Sequence, residues 1–187
     1  LVFGAGVLGC NLAHCFFKAG KDVTLLARGK WGEAITTKGL TIVNKVPYYK
    51  TTDKINVIES LKPDDRYDII FVVTRFSQLK EIIPILNENN SKNIVLVGNN
   101  TSAAEYATAL CNKDVLFAFS SSAGHRENER VISVNLNKMT IGSIDGSTEY
   151  EPMIKDVFSG MKYKLIYCND MDNWLKTHAA FILPICF

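Results

Sequence analysis

Three glycines near the start of the chain have a spacing that suits phosphate chemistry. Gly4, Gly6 and Gly9 form the pattern G-x-G-x-x-G directly after the apolar residues Leu1-Val2-Phe3. In this pattern the first glycine permits a tight turn, the second lets a diphosphate approach the main chain, and the third lets the following helix pack against the strand. Free N–H groups at the start of that helix then face the negative charge. The hexad predicts a dinucleotide site formed by Gly4, Ala5, Gly6, Val7, Leu8 and Gly9, and the alternative is a glycine turn that binds nothing.

The residues after the second apolar segment indicate which dinucleotide would bind. The segment Val23-Thr24-Leu25-Leu26-Ala27 is followed by Arg28-Gly29-Lys30. Enzymes that use NAD usually have Asp or Glu at this position, where the carboxylate binds the ribose 2′-hydroxyl. A guanidinium suits a 2′-phosphate instead, and Lys30 adds a second positive charge. The sequence therefore predicts NADP(H) with Arg28 and Lys30 as ligands, and the alternative is a solvated basic loop.

Polar residues also follow three later predicted strands. The segment 74–78 contains Arg75, the segment 98–101 contains Asn99, and the segment 120–124 ends at Gly124. Because ligands of open α/β sheets bind outside the carboxyl ends of the strands, we expect these loops to open on the same crevice as the glycine turn. Asn and Ser also cap helices and form turns, which explains each loop taken alone. Their joint placement favours a pocket for nicotinamide and substrate.

Hydrophobic periodicity predicts the elements that must hold these residues. Helices are predicted at 8–19, 31–37, 77–86, 102–110, 151–159 and from about 171, and strands at 1–3, 23–27, 40–43, 46–49, 67–73, 93–97, 115–119, 131–134, 139–141 and 164–167. Strands that alternate with helices are typical of an α/β protein with a Rossmann-like, doubly wound, mostly parallel sheet. Both ends of the sequence lie inside apolar elements. We therefore expect residues 1–168 to form this domain, and 169–187 to be the first helix of a truncated, all-helical C-terminal domain.

Composition and charge exclude several classes of protein. The 187 residues are 47% hydrophobic and 21% charged, which is ordinary for a globular protein. A net charge of +2 does not indicate nucleic-acid or membrane binding by bulk electrostatics, so any anion site must be local. Five cysteines form no C-x-x-C pair, and the three histidines lie at no metal-ligand spacing from them. We expect no metal, no disulfide framework and a cytoplasmic location.

With these residues, the sequence resembles the ketopantoate reductase (2-dehydropantoate 2-reductase) family. The resemblance rests on the segments G-A-G-V-L-G, L-L-A-R-G-K, V-T-R-F-S-Q, V-L-V-G with the asparagine after it, and W-L-K. It implies an NADPH-dependent reduction of a 2-oxo acid, in the family from 2-dehydropantoate to pantoate in pantothenate biosynthesis. It further implies that Asn99 binds both cofactor and substrate, that Arg75 and Gly124 lie at the cofactor, and that Lys176 binds substrate and acts as the general acid. A homodimer is a further expectation.

Four positions depart from the pattern that the resemblance implies. Arg75 stands where the family usually has lysine and Asn100 where it usually has glycine, while Ala180 and Pro184 replace asparagines that bind substrate. These departures leave two alternatives open: an NADP(H)-binding module or sensor without catalysis, and a reductase of a different 2-oxo acid.

Two residues of the last predicted helix have simpler alternative roles. Asp172 lies four residues before Lys176, in the order that favours a surface ion pair, so the lysine has a non-catalytic alternative. His178 is predicted to pack against Trp174 and Phe181 rather than to take part in catalysis.

Overall fold

The computed structural model describes residues 1–186, with side chains through Ile182. In these residues ten strands form one sheet, with helices on both sides. The strands are β1 Val2–Phe3, β2 Thr24–Leu26, β3 Leu40–Lys45, β4 Tyr48–Asp53, β5 Asn56–Ile58, β6 Ile70–Val72, β7 Asn93–Val97, β8 Asp114–Glu127, β9 Arg130–Gly142 and β10 Lys164–Tyr167. The α-helices are α1 Val7–Lys18, α2 Gly29–Lys38, α3 Leu79–Glu88, α4 Ala103–Ala109, α5 Glu151–Val157 and α6 Met171–Cys186, and a 3-10 turn covers Phe76–Gln78.

The sheet has the strand order β4-β3-β9-β8-β7-β6-β1-β2-β5, with β10 beside β9. Only β3–β4 and β8–β9 pair antiparallel among the described strands, and the other seven pairs are parallel. The predicted α/β class and mostly parallel sheet are therefore confirmed. Because β1, β2, β6 and β7 are parallel neighbours, the loops after them open at one edge of the sheet.

Alternate residues of the central strands are buried on opposite faces of the sheet. In β6, Phe71 belongs to one hydrophobic core, whereas Ile70 and Val72 belong to the other. The first core is formed with α1, α2 and α5, and the second with α3, α4 and the start of α6. A strand that is buried on both faces reads as a continuous apolar run, which is why the central strands were recognisable in the sequence.

The β8–β9 hairpin differs most from the sequence-based expectation. Residues 120–124, predicted as a loop, continue β8 in antiparallel pairing with β9, with a register shift between Ser120 and Ser122. The two short strands predicted at 131–134 and 139–141 are one strand, β9. Polar residues fit here because the hairpin extends beyond the buried centre of the sheet, and the side chain of Asn44 accepts a hydrogen bond from the main chain of Asn135 (2.9 Å). The expectation of a loop at 120–124 was wrong for this reason.

Smaller differences concern short or interrupted elements. No strand was predicted for the residues of β5, a three-residue strand that pairs with β2. The predicted strand 46–49 begins only at Tyr48, since Val46 and Pro47 form the turn after β3. The helix predicted at 77–86 begins as the 3-10 turn, and α3 then continues past Pro84 to Glu88.

The described residues contain neither a membrane-spanning helix nor a cluster of metal ligands. No helix in residues 1–186 is both long and apolar enough to cross a membrane. Among the described side chains, those of residues 1–182, no three His, Cys, Asp or Glu come together as ligands for a metal ion.

Candidate functional site

A cavity of about 770 Å³ lies at the carboxyl ends of the parallel strands. Its wall is formed by the glycine turn, the ends of β2, β6 and β7, the first turns of α2 and α3, and one residue of β8: Phe3, Gly4, Ala5, Gly6, Val7, Leu8, Leu26, Ala27, Arg28, Trp31, Val73, Thr74, Arg75, Gln78, Glu81, Ile82, Ile85, Val97, Gly98 and Arg126. Open α/β sheets bind their ligands at this edge. The cavity is therefore the candidate binding cleft.

The glycine turn leaves room on the cavity side and none on the protein side. A Cβ atom on Gly4, whose φ is +117°, would overlap the carbonyl oxygen of Val73, and a Cβ on Gly9 would overlap that of Gly4. A Cβ on Gly6 would have no protein atom within 4 Å. Gly4 and Gly9 therefore let the strand, the turn and α1 pack closely, while Gly6 leaves space beside the main chain for another molecule.

The start of α1 is suited to bind an anion. Gly6 is the N-cap residue and supplies no side-chain cap, and the first turn holds no acidic residue. The N–H of Cys10 donates to the carbonyl of Gly6 (2.9 Å), which begins the helical ladder. The N–H groups before it remain outside the ladder, next to the open side of Gly6. These features fit a diphosphate.

Trp31 joins the glycine turn to the first turn of α2. Its indole Nε1 donates a hydrogen bond to the carbonyl oxygen of Ala5 (2.9 Å). Arg28, the N-cap residue of α2, lines the same cavity and is exposed. Lys30 is also exposed in α2 but is not part of the cavity wall. Arg28 is thus the closer of the two predicted phosphate ligands to the cleft.

A second cavity of about 280 Å³ shares four wall residues with the first one, and Asn99 and Asn100 belong to its wall alone. The shared residues are Thr74, Arg75, Val97 and Gly98. The Asn100 side chain is buried, and its Oδ1 accepts a hydrogen bond from the N–H of Ser102 (3.0 Å). The buried Asn100 Nδ2 and Thr74 Oγ1 have no hydrogen-bond partner within the described residues. Buried polar atoms normally have one, so this part of the cleft fits a polar ligand such as a nicotinamide group.

The charge of the cleft is positive even though that of the whole chain is nearly balanced. Its wall contains three guanidinium groups, those of Arg28, Arg75 and Arg126, and one carboxylate, that of Glu81. A cluster of like charge in a concave surface raises the local concentration of anions. The cleft therefore has the local positive charge that an anion site would need in a chain whose net charge is small.

Gly124 and Lys176 lie outside both cavities. Gly124 has a φ of +155° within β8, where a Cβ would overlap the carbonyl oxygen of Ile132, so the hairpin itself requires glycine there. Lys176 Nζ donates to Asp172 Oδ2 (2.5 Å), and the lysine side chain is 54% exposed. The proposed roles of both residues stay predictions, and Pro184 lies outside the described side chains.

His178 packs in the interior between α6 and the sheet. Its ring stacks on Trp174 with 4.9 Å between centroids, as predicted, and contacts Phe119 with 4.2 Å between centroids. Phe119 takes the place that was expected for Phe181, whose side chain is exposed. Burial lowers the pKa of His178 from its ordinary value, which favours the neutral form of the ring.

The sequence analysis included Thr74 in a loop of the cleft but missed Trp31 and Arg126 as parts of it. Arg126 was out of reach because β8 was predicted to end at Phe119, and only the continued strand carries residue 126 to the cavity. The signal for Trp31 was its position three residues after Arg28, in the first turn of a helix whose N-terminus faces the same edge.

A comparison with protein-family models matches residues 1–146 to the family described as ketopantoate reductase PanE/ApbA. The chain belongs to the ketopantoate reductase family. No curated protein sequence matches the chain. The predicted family membership is thereby confirmed.

Solved structures of ketopantoate reductases have the same fold at low sequence identity. A 2-dehydropantoate 2-reductase from Methylococcus capsulatus has a TM-score of 0.80 and 16% identity over 96% of this chain and 60% of its own. For a dimeric ketopantoate reductase from Staphylococcus aureus the values are 0.71 and 16%, over 93% and 56%. A D-mandelate dehydrogenase in a ternary structure with NADH and anilino(oxo)acetate gives 0.74 and 13%, over 96% and 60%. The chain thus spans about three-fifths of the length of these structures.

Proposed function

We propose that this member of the ketopantoate reductase family is an NADPH-dependent reductase of a 2-oxo acid, with 2-dehydropantoate as the first substrate to test. The observation that carries the proposal is the cationic cleft that joins the glycine turn, Arg28 and the unpartnered polar atoms of Thr74 and Asn100. NADPH would supply a hydride to the carbonyl carbon of the substrate. The residues of this chain would bind the cofactor, orient the substrate and donate the proton.

The two ends of the cleft suit the two ends of the cofactor. N–H groups at the start of α1 would bind the diphosphate, and Arg28 with Lys30 at the start of α2 would bind the adenosine 2′-phosphate. Asn99 and Arg75 lie on the wall of the smaller cavity and would orient the nicotinamide ribose and the substrate there. The diphosphate at the glycine turn would then connect the adenosine near Arg28 to the nicotinamide near Asn99.

Lys176 would be the general acid that donates a proton to the carbonyl oxygen as the negative charge develops on it. To do so its ammonium must leave the ion pair with Asp172. We expect Lys176→Ala to reduce kcat by at least a hundredfold while the Kd for NADPH changes less than twofold. Lys155→Ala, which removes another lysine from an i, i+4 pair with Glu151, is the matched control and should leave both constants unchanged.

A second candidate function is an NADP(H)-binding module without catalysis. Two observations favour it: the ion pair of Lys176 with Asp172, and Ala180 where family resemblance implies an asparagine. Mixing the full-length protein with NADPH and a panel of 2-oxo acids, while following absorbance at 340 nm, separates the candidates. Oxidation of NADPH by one acid supports the reductase and identifies its substrate, whereas tight binding without oxidation by any acid supports the module.

The preference for NADP(H) is tested at Arg28. We expect Arg28→Ala to raise the Kd for NADPH by roughly ten- to a hundredfold and to leave the Kd for NADH within about twofold, since only NADPH carries the 2′-phosphate. Lys21→Ala removes a lysine that is bound to Asp156 and Ser159 outside the cleft, and it should change neither constant. Equal losses for both nucleotides would refute the 2′-phosphate role.

Three broader features belong to the same proposal. We place the enzyme in the cytoplasm, in the pantothenate pathway, and treat residues 1–168 as the cofactor domain with 169–187 as the start of a helical domain. A homodimer is supported by the relative from Staphylococcus aureus, which is described as dimeric. Light scattering on the full-length protein would measure the oligomeric state.

A further inference from the structure

Arg126 is the residue of the cleft that neither the motifs nor the family resemblance assigns. It lies near the tip of the β8–β9 hairpin, and it is the only residue of that hairpin in the described wall of the larger cavity. Its guanidinium carbon is 5.6 Å from the centroid of the Trp31 ring, within cation–π distance. Within residues 1–186 it forms no ion pair with a carboxylate. Its positive charge therefore faces the cleft without a counter-ion.

The ring beneath Arg126 is itself fixed beside the phosphate-binding elements. Trp31 lies three residues after Arg28 in α2, and its Nε1 is bonded to Ala5 in the glycine turn (2.9 Å). A guanidinium that lies over this ring is consequently near the first turn of α2, where Arg28 also lines the cavity. The two arginines come from elements about a hundred residues apart in the chain.

The hairpin that carries Arg126 is anchored to both helices of the cofactor cleft. On α1, the Asn11 Nδ2 donates to Ser122 Oγ (2.8 Å), and Ser133 Oγ donates to Asn11 Oδ1 (3.1 Å). At the tip, Glu129 forms an ion pair with Lys38 of α2. These contacts fix the position of the strand before any ligand binds, which lowers the entropic cost of bringing a charge to the site.

From this arrangement we propose that Arg126 is a second ligand of the adenosine 2′-phosphate and a determinant of NADP(H) specificity. The proposal rests on the proposed function, since it assumes a nicotinamide dinucleotide in the cleft. Arg28 would bind the phosphate from the end of β2, and Arg126 would bind it from the β8–β9 hairpin, stacked on Trp31. Two guanidiniums match the two negative charges of a phosphomonoester, which a diol-bearing ribose lacks.

The test compares charge-neutral variants of two arginines on the same hairpin. Arg126→Gln removes the charge at the cleft, and Arg130→Gln removes the same charge four residues later, at a position outside both cavity walls. Binding of NADPH, NADH, 2′,5′-ADP and 5′-ADP to each full-length variant is measured by calorimetry. Thermal unfolding of each variant shows whether it is folded.

We expect Arg126→Gln to raise the Kd of NADPH and of 2′,5′-ADP by roughly ten- to a hundredfold, with NADH and 5′-ADP changed less than about twofold. Arg126→Lys should recover part of the loss, since it keeps the charge but loses the planar fork. Arg130→Gln should resemble the wild type. The salt dependence of NADPH binding should also become shallower in Arg126→Gln, because one fewer charge meets the phosphate.

Two results would overturn the inference. The first leaves the proposed function standing, and the second also overturns its preference for NADPH. One is a wild type that binds NADPH, together with an Arg126→Gln variant in which the Kd values for NADPH and NADH either rise by the same factor or stay unchanged. The other is a wild type that binds NADH at least as tightly as NADPH. A wild type that binds neither nucleotide would overturn the proposed function together with the inference, and the 2′,5′-ADP measurement shows whether a phosphomonoester binds at all.

Discussion

At the scale of single residues, the three glycines of the hexad have distinct physical tasks. Gly9 is confined by the carbonyl oxygen of Gly4, whereas Gly6 faces open space. A methyl group added to these two positions therefore meets different obstacles. One substitution disturbs the packing of the fold, and the other intrudes only on a bound ligand.

We accordingly expect opposite effects from Gly9→Ala and Gly6→Ala. Gly9→Ala should lower the free energy of unfolding by about 1–3 kcal/mol, because the methyl group forces α1 away from the strand. Gly6→Ala should cost less than about 1 kcal/mol but raise the Kd for NADPH by at least tenfold. Urea unfolding and NADPH titration of both variants measure the two effects. A Gly6→Ala protein that binds NADPH as the wild type does would show that the diphosphate lies elsewhere.

At the scale of elements, a buried carboxylate joins α1 to the β3–β4 hairpin. The side chain of Asp53 in β4 is fully buried and accepts hydrogen bonds from His14 Nδ1 (2.6 Å), Lys18 Nζ (2.8 Å) and Thr51 Oγ1 (2.9 Å). Burial would raise the pKa of Asp53, but these hydrogen bonds outweigh it and hold the pKa below its ordinary value of 3.8. The unfolded chain therefore binds the proton more tightly than the folded one does.

The sign of this shift sets the pH dependence of stability. A carboxyl group with a lowered folded-state pKa contributes stability above its unfolded pKa of about 3.9 and loses it as the pH falls through the folded value. We expect the free energy of unfolding to decrease below about pH 4. Asp53→Asn should cost on the order of 2 kcal/mol at pH 7 and make this decrease shallower. Glu59→Gln, at an exposed position, is the control. An unchanged pH profile in Asp53→Asn would exclude Asp53 as the source.

At the scale of the whole molecule, the rate at which the cysteine thiols are alkylated measures the opening of the folded structure. Cys111 is exposed, whereas Cys10 is buried and Cys15 is half-buried. Burial raises the pKa of the Cys10 and Cys15 thiols to about 12, which suppresses the reactive thiolate. Both lie in α1, which packs on the sheet. An alkylating reagent therefore reaches the fully buried Cys10 only when the packing of α1 opens, whereas the half-buried Cys15 is protected mainly by its raised pKa.

We expect iodoacetamide to label Cys111 rapidly in the native protein and Cys15 more slowly, because its thiolate is suppressed, while Cys10 is labelled only as fast as the fold opens. Saturating NADPH should slow the labelling of Cys10 further, by the ratio in which it stabilises the folded state, and leave Cys111 unchanged. Peptide mapping by mass spectrometry gives the three rates, with Cys111→Ser as the control for cross-reaction. Equal rates for Cys10 and Cys111 in the native protein would contradict this burial.

The class of fold and the glycine turn can be predicted from the sequence alone. Central strands buried on two faces produce apolar runs, and amphipathic helices produce a 3.6-residue period, so both are visible in a short window of residues. The position of Arg28 after β2 follows from the same local pattern. The short strand β5 was not predicted, and the strands of the polar β8–β9 hairpin were predicted too short. The reason is that their stability comes from partners distant in the chain.

Which side chains share the cleft depends on how distant elements pack together in the folded protein. This packing brings Trp31 and Arg126 within 5.6 Å of each other, although 95 residues separate them, and it leaves Gly124 and Lys176 outside the cavity walls. Local spacing can show which face of an element a residue occupies. The meeting of two elements depends on strand order and on anchors such as Asn11 and Lys38, which are contacts between distant parts of the chain. That is the physical reason why Arg126 became visible only in the folded protein.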